Sequence, residues 1–185
     1  MEDTKIRRIS SKLLYRGRVA HLTLDTYQTA RGNTFRRETV RHPASVVILP
    51  LFSNGKILLI RQFRHAIGRT IYEIPAGTSE PGESLFTCAK RELAEETGYQ
   101  AKWWKRLFEF YPAPGISTER MVLYRAKGLS PLAKTRPKDK DEYITPAIVS
   151  EKTAVSLVRR NKIIDAKSMI GILFGLGRIR WKAGS

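Results

Sequence analysis

Residues 77–99 read GTSEPGESLFTCAKRELAEETGY. Nine of them, Gly77, Glu83, Arg91, Glu92, Leu93, Glu95, Glu96, Gly98 and Tyr99, fall on the pattern G-x5-E-x7-R-E-[apolar]-x-E-E-x-G-[apolar]. A chance occurrence in a chain of this length has odds on the order of 1e-7 at average residue usage, so the spacing requires an explanation. The run after Pro81-Gly82 predicts a helix from about residue 83 to residue 97, with Gly98 as the stop just beyond its end. On a wheel of about 100° per residue, with Glu92 at zero, Glu96 falls near +40° and Glu95 near −60°. Phe86, Ala89 and Leu93 fall between about +60° and +120°, an apolar stripe beside the acids.

Three carboxylates at the margin of a core repel one another and resist desolvation unless something neutralises them. A hard divalent cation does so: Mg2+ takes one or two carboxylates together with waters and phosphate oxygens. The plain alternative is a solvated, charged helix face. Gly77, Glu83, Gly98 and Tyr99 standing in register with the acids argue against it. Glu83 is expected in the first helical turn, where the dipole favours an anion. Gly77 allows close backbone approach between a strand and a loop. Arg91 reads either as a surface arginine or as a group that orients a neighbouring glutamate.

Outward from this segment, the pattern predicts a mixed α/β (α+β) architecture. Residues 45–52 (SVVILPLF) form a buried-strand candidate, Ser53-Asn54-Gly55-Lys56 a hairpin turn, and residues 57–60 the returning strand. Further strands are expected at 71–75, 103–111, 121–126 and 143–149, with a Pro/Gly loop at 112–119 and a polar loop at 129–141. Two helices close the chain, about 151–160 with Ser150 as N-cap and 166–178 with Asp165 as N-cap. Upstream, residues 13–15, 19–27 and 34–40 read as short antiparallel strands, the last two joined by Arg31-Gly32-Asn33. This meander can bury little alone, so it is expected to pack on the main domain or on a second copy of the chain. His42-Pro43 marks the boundary, giving a 1–42 β-region and a 43–185 main domain.

Composition sets the outer limits. The chain has 185 residues, of which 42% are hydrophobic, enough for an ordinary core. No apolar run approaches the length of a membrane span. MEDTKIRRIS lacks an apolar signal region, and the single cysteine, Cys88, cannot form an internal disulfide; a cytoplasmic location is the expectation. The 34 Lys and Arg outnumber the 17 Asp and Glu, a formal charge of +17 that attracts anions. The basic residues are scattered and not interleaved with aromatics, which argues against a nucleic-acid platform. The acids instead gather around 80–96 and 139–142. His21, His42 and His65 show no metal-ligand spacing. Trp103 and Trp104, being adjacent, should face opposite sides of a strand.

The segment 77–99 is a full match to the Nudix box, and the chain resembles the ADP-ribose pyrophosphatase branch of the Nudix hydrolases. The resemblance extends over RHPASVVILPL, ILLIRQFRHAIGRTIYEIPAG, YPAPGISTE, DEYI and NKIIDAKSMIGILFGL, most of residues 12–178. It implies the Nudix fold, a mixed sheet sandwiched between helices. Glu92, Glu96, the Ala76 carbonyl and, directly or through water, Glu83 would serve the metal, which would be Mg2+ with Mn2+ as a substitute. Glu95 and Arg91 would complete the catalytic helix. Arg64 matches a substrate-contacting position, and Pro114, sixteen residues beyond Gly98, marks the branch and its substrate. The general base would lie in Lys138-Asp139-Lys140-Asp141-Glu142; Glu142, which precedes Tyr143-Ile144, is the choice, with Asp141 and Asp139 as alternatives. Glu73 reads either as part of the metal shell or as a paired structural acid. The implied reaction is ADP-ribose plus water giving AMP and ribose 5-phosphate, by a homodimer that shares its N-terminal β-region. The competing expectations are a GDP-mannose or other nucleotide-sugar hydrolase and an RNA-directed Nudix protein.

Overall fold

Every residue of the strand β4 (Ser45–Leu51) is buried, and its alternating side chains feed two separate cores. Val46 and Ile48 point to one face and pack with Cys88, Ala89 and Leu93 of the helix α1 (Leu85–Thr97). Val47, Leu49 and Leu51 point to the other and pack with Ala154 of α2 (Glu151–Arg159) and Ile172 of α3 (Ala166–Gly175). A strand covered on both faces needs no polar alternation, which is why SVVILPL reads as a continuous apolar run. Each fully buried Ile or Leu removed from water contributes about 1.5–3 kcal/mol before entropy is counted.

The computed structural model describes residues 5–133 and 143–179. These residues form two compact units. The larger takes Ser45–Phe110 and the described residues from Met121 onward. Its sheet runs β10 (Ile144–Ser150), β5 (Lys56–Arg64), β4, β9 (Met121–Pro131), β8 (Tyr99–Phe110). β4 and β9 are parallel and the other pairs antiparallel, so the sheet is mixed, with α1 on one face and α2 and α3 on the other. Two short strands extend it: β6 (Arg69–Glu73) pairs with β5, and β7 (Ala76–Thr78) pairs with the start of β4. No described helix is long and apolar enough to cross a membrane.

The smaller unit comprises the described residues up to Ala44 together with Tyr111–Arg120. Its strands β1 (Arg7–Arg16), β2 (His21–Gln28) and β3 (Thr34–Arg41) form an antiparallel sheet in sequence order. Val40 bridges Ser117, and the His42 N–H donates to Thr118 Oγ1 (2.9 Å), so the 111–120 segment belongs to this unit. Its buried residues, Thr23 and Asp25, are both polar. Burial pushes the Asp25 carboxyl up, but the Ser11 hydroxyl and Arg41 outweigh it and hold the group below its ordinary range.

The predicted elements appear with shifted ends. The helix expected from residue 83 begins at Leu85, because the Ser84 hydroxyl accepts from the Thr87 N–H (3.1 Å) and takes the N-cap. Glu83 therefore precedes the helix and does not lie in its first turn. Gly98 ends it in the left-handed conformation (φ 76°), its N–H donating to the Ala94 carbonyl (2.9 Å). Ser150 and Asp165 cap α2 and α3. Phe86, expected in the buried stripe, is 40% exposed; it lies edge-on to Trp104, and Lys90 covers its ring. Of the tryptophan pair, Trp103 is exposed and Trp104 packs against Phe86 and Tyr124.

Candidate active site

The site is assembled where β7 passes the acidic side of α1. Gly77 sits on β7 directly against the Glu92 carboxylate, and a Cβ at position 77 would overlap that group. Glycine is required here for space; its φ is not in the left-handed region. One residue earlier, the Ala76 N–H donates to Glu96 Oε2 (3.1 Å). Glu96 is 4% exposed, which for a carboxylate demands compensation by donors or cations. The strand backbone thus fastens Glu96 and, one residue on, leaves room for the Glu92 carboxylate beside it.

Arg91 ties the remaining acids to the same point. Its Nε and Nη2 donate to the two oxygens of Glu83 (2.9 Å each), a bidentate fork. Its Nη1 donates to Glu92 Oε1 (2.8 Å) and Glu95 Oε2 (3.1 Å), and Nη2 also reaches the Thr78 carbonyl (3.1 Å). One guanidinium therefore holds three glutamates and the β7 backbone. The Arg91 fork holds the Glu83 carboxyl below the ordinary carboxylate range against the opposing effect of burial. Cys88, beneath this cluster, has its thiol pushed up to about 12 by burial and by the charges of Glu92 and Glu83, so it is no nucleophile at neutral pH.

A second buried network lies beyond Ala76. Glu73 is fully buried at the end of β6. Arg64 Nε and Nη2 grip its two oxygens (2.6 Å each), and Lys167 Nζ binds Oε2. Burial pushes the Glu73 carboxyl up, but the Arg64 fork and Lys167 more than offset it, so its net shift is downward. Lys167 also donates to Asp165 (2.9 Å), the α3 cap. Sequence reasoning missed Lys167. The one available signal was a lone charge in the mostly apolar run AKSMIGILFG.

The donor set fits a hard divalent cation. Among the described residues no three carboxylate, imidazole or thiolate groups converge as a ready metal cluster. Mg2+ does not require three: two carboxylates with a carbonyl, waters and phosphate oxygens suffice. Glu92 and Glu96, both brought against β7, offer two of these oxygens, and the Ala76 carbonyl would be the third.

A family model for the NUDIX domain matches residues 41–167. The chain belongs to the Nudix family. The ADP-ribose pyrophosphatase of Bacillus subtilis is 36% identical over 94% of this chain and 94% of its own length. The methanol dehydrogenase activator of Bacillus methanolicus is 34% identical over 90% of each. A crystal structure described as an ADP compounds hydrolase superposes with a TM-score of 0.80 at 22% identity, covering 95% of this chain and 97% of that one; it shows the fold. The Nudix mixed sheet between helices is thus established, and with it a Nudix pyrophosphohydrolase.

Within this Nudix protein, Ala76, Glu83, Arg91, Glu92, Glu95 and Glu96 lie together on β7, on α1 and just before it. Arg64 pairs with Glu73 and also feels the charge of Glu96 on α1. Pro114 lies in the 111–120 segment of the smaller unit, in a turn where the Ala113 carbonyl accepts from the Ile116 and Ser117 N–H groups. Glu142, with Asp139 and Asp141, lies outside the described residues.

Proposed function

We propose that this Nudix enzyme hydrolyses the diphosphate of ADP-ribose, giving AMP and ribose 5-phosphate, with Mg2+ or Mn2+ as its cofactor. Nudix hydrolases generally use divalent metal ions. The observation that carries the reading is the pair of helix carboxylates brought to β7, Glu96 bonded by the Ala76 N–H and Glu92 lying against Gly77. The substrate is taken from the Bacillus subtilis relative, which covers nearly the whole chain.

Glu92, Glu96 and the Ala76 carbonyl would hold the metal, with Glu83 and Glu95 in support. When bound, the ion supplies charge neutralisation at the diphosphate and a more acidic water. Arg91 keeps the glutamates from splaying apart. Arg64 offers Nη1, unused in its Glu73 fork, to a phosphate or sugar oxygen. Pro114 is assigned to substrate contact. Water attacks one phosphorus, the bridging P–O bond breaks, and Glu142 takes the water's proton. We place the enzyme in the cytoplasm as a homodimer built through residues 1–42, with 43–185 as the hydrolase domain.

The assay is release of AMP and ribose 5-phosphate from ADP-ribose with added Mg2+ or Mn2+. Glu96→Gln should lower kcat by about 100-fold or more while the circular dichroism spectrum is unchanged. Near-normal turnover in that variant would remove Glu96 from the ligand set. GDP-mannose and dinucleoside polyphosphates, compared by kcat/KM, test the nucleotide-sugar alternative; salt-dependent RNA binding that survives Glu96→Gln would favour the RNA-directed one. The Bacillus methanolicus relative supports a second reading, activation of a methanol dehydrogenase. Adding the protein to such an enzyme, with and without Glu96→Gln, tests it.

A further inference from the structure

The buried ion network at the foot of α3 lies beside the proposed metal face, with Arg64 within reach of the charge on Glu96, and its own charges are costly. Glu73 and Ser168 are fully buried and Lys167 is 7% exposed. Burying an ammonium and a carboxylate on this scale is often no more stabilising than an apolar pair of the same size. What such a network provides is a fixed geometry, because each member has few alternatives. Asp165 accepts from the Ser168 N–H (2.9 Å), the Ser168 hydroxyl (2.5 Å) and Lys167 Nζ (2.9 Å). Lys167 passes the constraint to Glu73, and Glu73 grips Arg64 through both oxygens. The Ser168 hydroxyl also accepts from the Ile74 N–H (2.9 Å), which fixes the backbone between Glu73 and Ala76. The network ends in the one member that is substantially exposed: the Arg64 side chain, at 38%.

We propose that Lys167 and Asp165 are positioning residues for the substrate: by locking the Glu73 carboxylate they fix the direction in which Arg64 presents its free Nη1 to the anionic substrate. A fork held on one side only could rotate about the arginine's long side chain. A carboxylate that also accepts from a buried ammonium turns less readily, and so does the guanidinium forked to its two oxygens. The role of Arg64 as a substrate contact rests on the proposed hydrolase function; the coupling of Lys167 to Arg64 does not.

The test is a double-mutant cycle on ADP-ribose hydrolysis between Lys167→Met and Arg64→Ala. Lys167→Met should raise KM about tenfold with kcat changed less than about threefold, and in the Arg64→Ala background it should change KM by less than about twofold. Effects that multiply, or a KM equal to wild type, would overturn the proposal. Asp165→Asn is the second variant, because Asn still caps a helix while the charge on Lys167's partner is lost. It should move KM in the same direction, more weakly, and again not in the Arg64→Ala background. If Lys167→Met does not fold, Asp165→Asn carries the cycle alone. Crystal structures of the variants give a readout free of substrate: the Arg64 guanidinium should leave its two-oxygen grip on Glu73 or occupy several positions. An unchanged, single Arg64 conformation in a folded variant would refute the coupling whatever the enzyme hydrolyses. Conversely, wild-type protein inert to ADP-ribose but with a displaced Arg64 in Lys167→Met would reject the substrate and keep the clamp.

Discussion

Gly77 shows how a residue with no side chain can decide the chemistry. Its missing Cβ is the space the Glu92 carboxylate occupies, so Gly77→Ala must push either β7 or Glu92 aside. Misplacing a reacting group by about 1 Å can cost about 100-fold in rate. Gly77→Ala should therefore lose about that much in kcat, with a melting temperature within a few degrees of wild type; a kcat within twofold would mean that Glu92's position is immaterial. Glu83 shows the electrostatic counterpart. The Arg91 fork lowers its carboxyl pKa in the folded protein, against the opposing effect of burial, while the unfolded chain titrates near 4.5. Its contribution to stability is thus complete above the unfolded value and is lost as pH falls through the lower, folded value. Urea midpoints for wild type and Glu83→Gln should differ by a constant amount above about pH 5 and converge as pH falls through the lower, folded value. A gap that stays constant over the whole range would show that the Arg91–Glu83 pair does not set the acid limb.

At the scale of elements, α1 needs an accurate start because its carboxylates are counted from it. Ser84 supplies that start by accepting from the Thr87 N–H, and Ser84→Ala should cost about 1 kcal/mol in chemical denaturation with kcat changed less than threefold. A loss of catalysis without a loss of stability would mean that the cap acts on the site itself. The α1 register, its Gly98 stop, the buried β4 and the caps Ser150 and Asp165 were legible because each rests on neighbours in sequence. Elements whose reason lies far along the chain were not. β7 is three residues long and exists through pairing with Ser45, Val46 and Val47; nothing in Ala76-Gly77-Thr78 alone marks a strand. β1 runs from Arg7 although only 13–15 read as strand, because all ten of its residues are exposed and no alternation of burial is written into it. The helix start at about residue 83 rests on the Pro81-Gly82 stop before it, but the N-cap, Ser84, moves the boundary past Glu83. The Glu73–Lys167 pair spans 94 positions, and a single sequence carries no trace of such a pairing beyond one lysine among apolar residues.

For the whole molecule, the smaller unit poses a question that its own residues do not answer. Among its described residues no hydrophobic side chain is buried; Thr23 and Asp25 alone are. Ile9, Leu13, Leu14 and Tyr15 of β1 are exposed, Tyr15 to 67%. β1 is also an edge strand, so unpaired backbone groups and apolar side chains occur on the same element. Soluble chains blunt such edges with charge or cover them with another surface. The charges are present, in Arg7, Arg8, Lys12 and Arg16, but they flank the apolar residues and leave them uncovered. A three-stranded sheet with a polar interior has little stability of its own, so covering this strand with the same region of a second copy would stabilise both the sheet and the assembly. Sedimentation velocity should therefore give twice the chain mass at about 10 µM, an ordinary working concentration for a dimer held at nanomolar affinity. Leu14→Glu, which puts a carboxylate on an exposed strand position and so disturbs the single chain little, should shift the mass to that of one chain and lower the melting temperature. Wild-type protein that sediments as a single chain, or a Leu14→Glu variant that remains double, would exclude β1 as the joining surface.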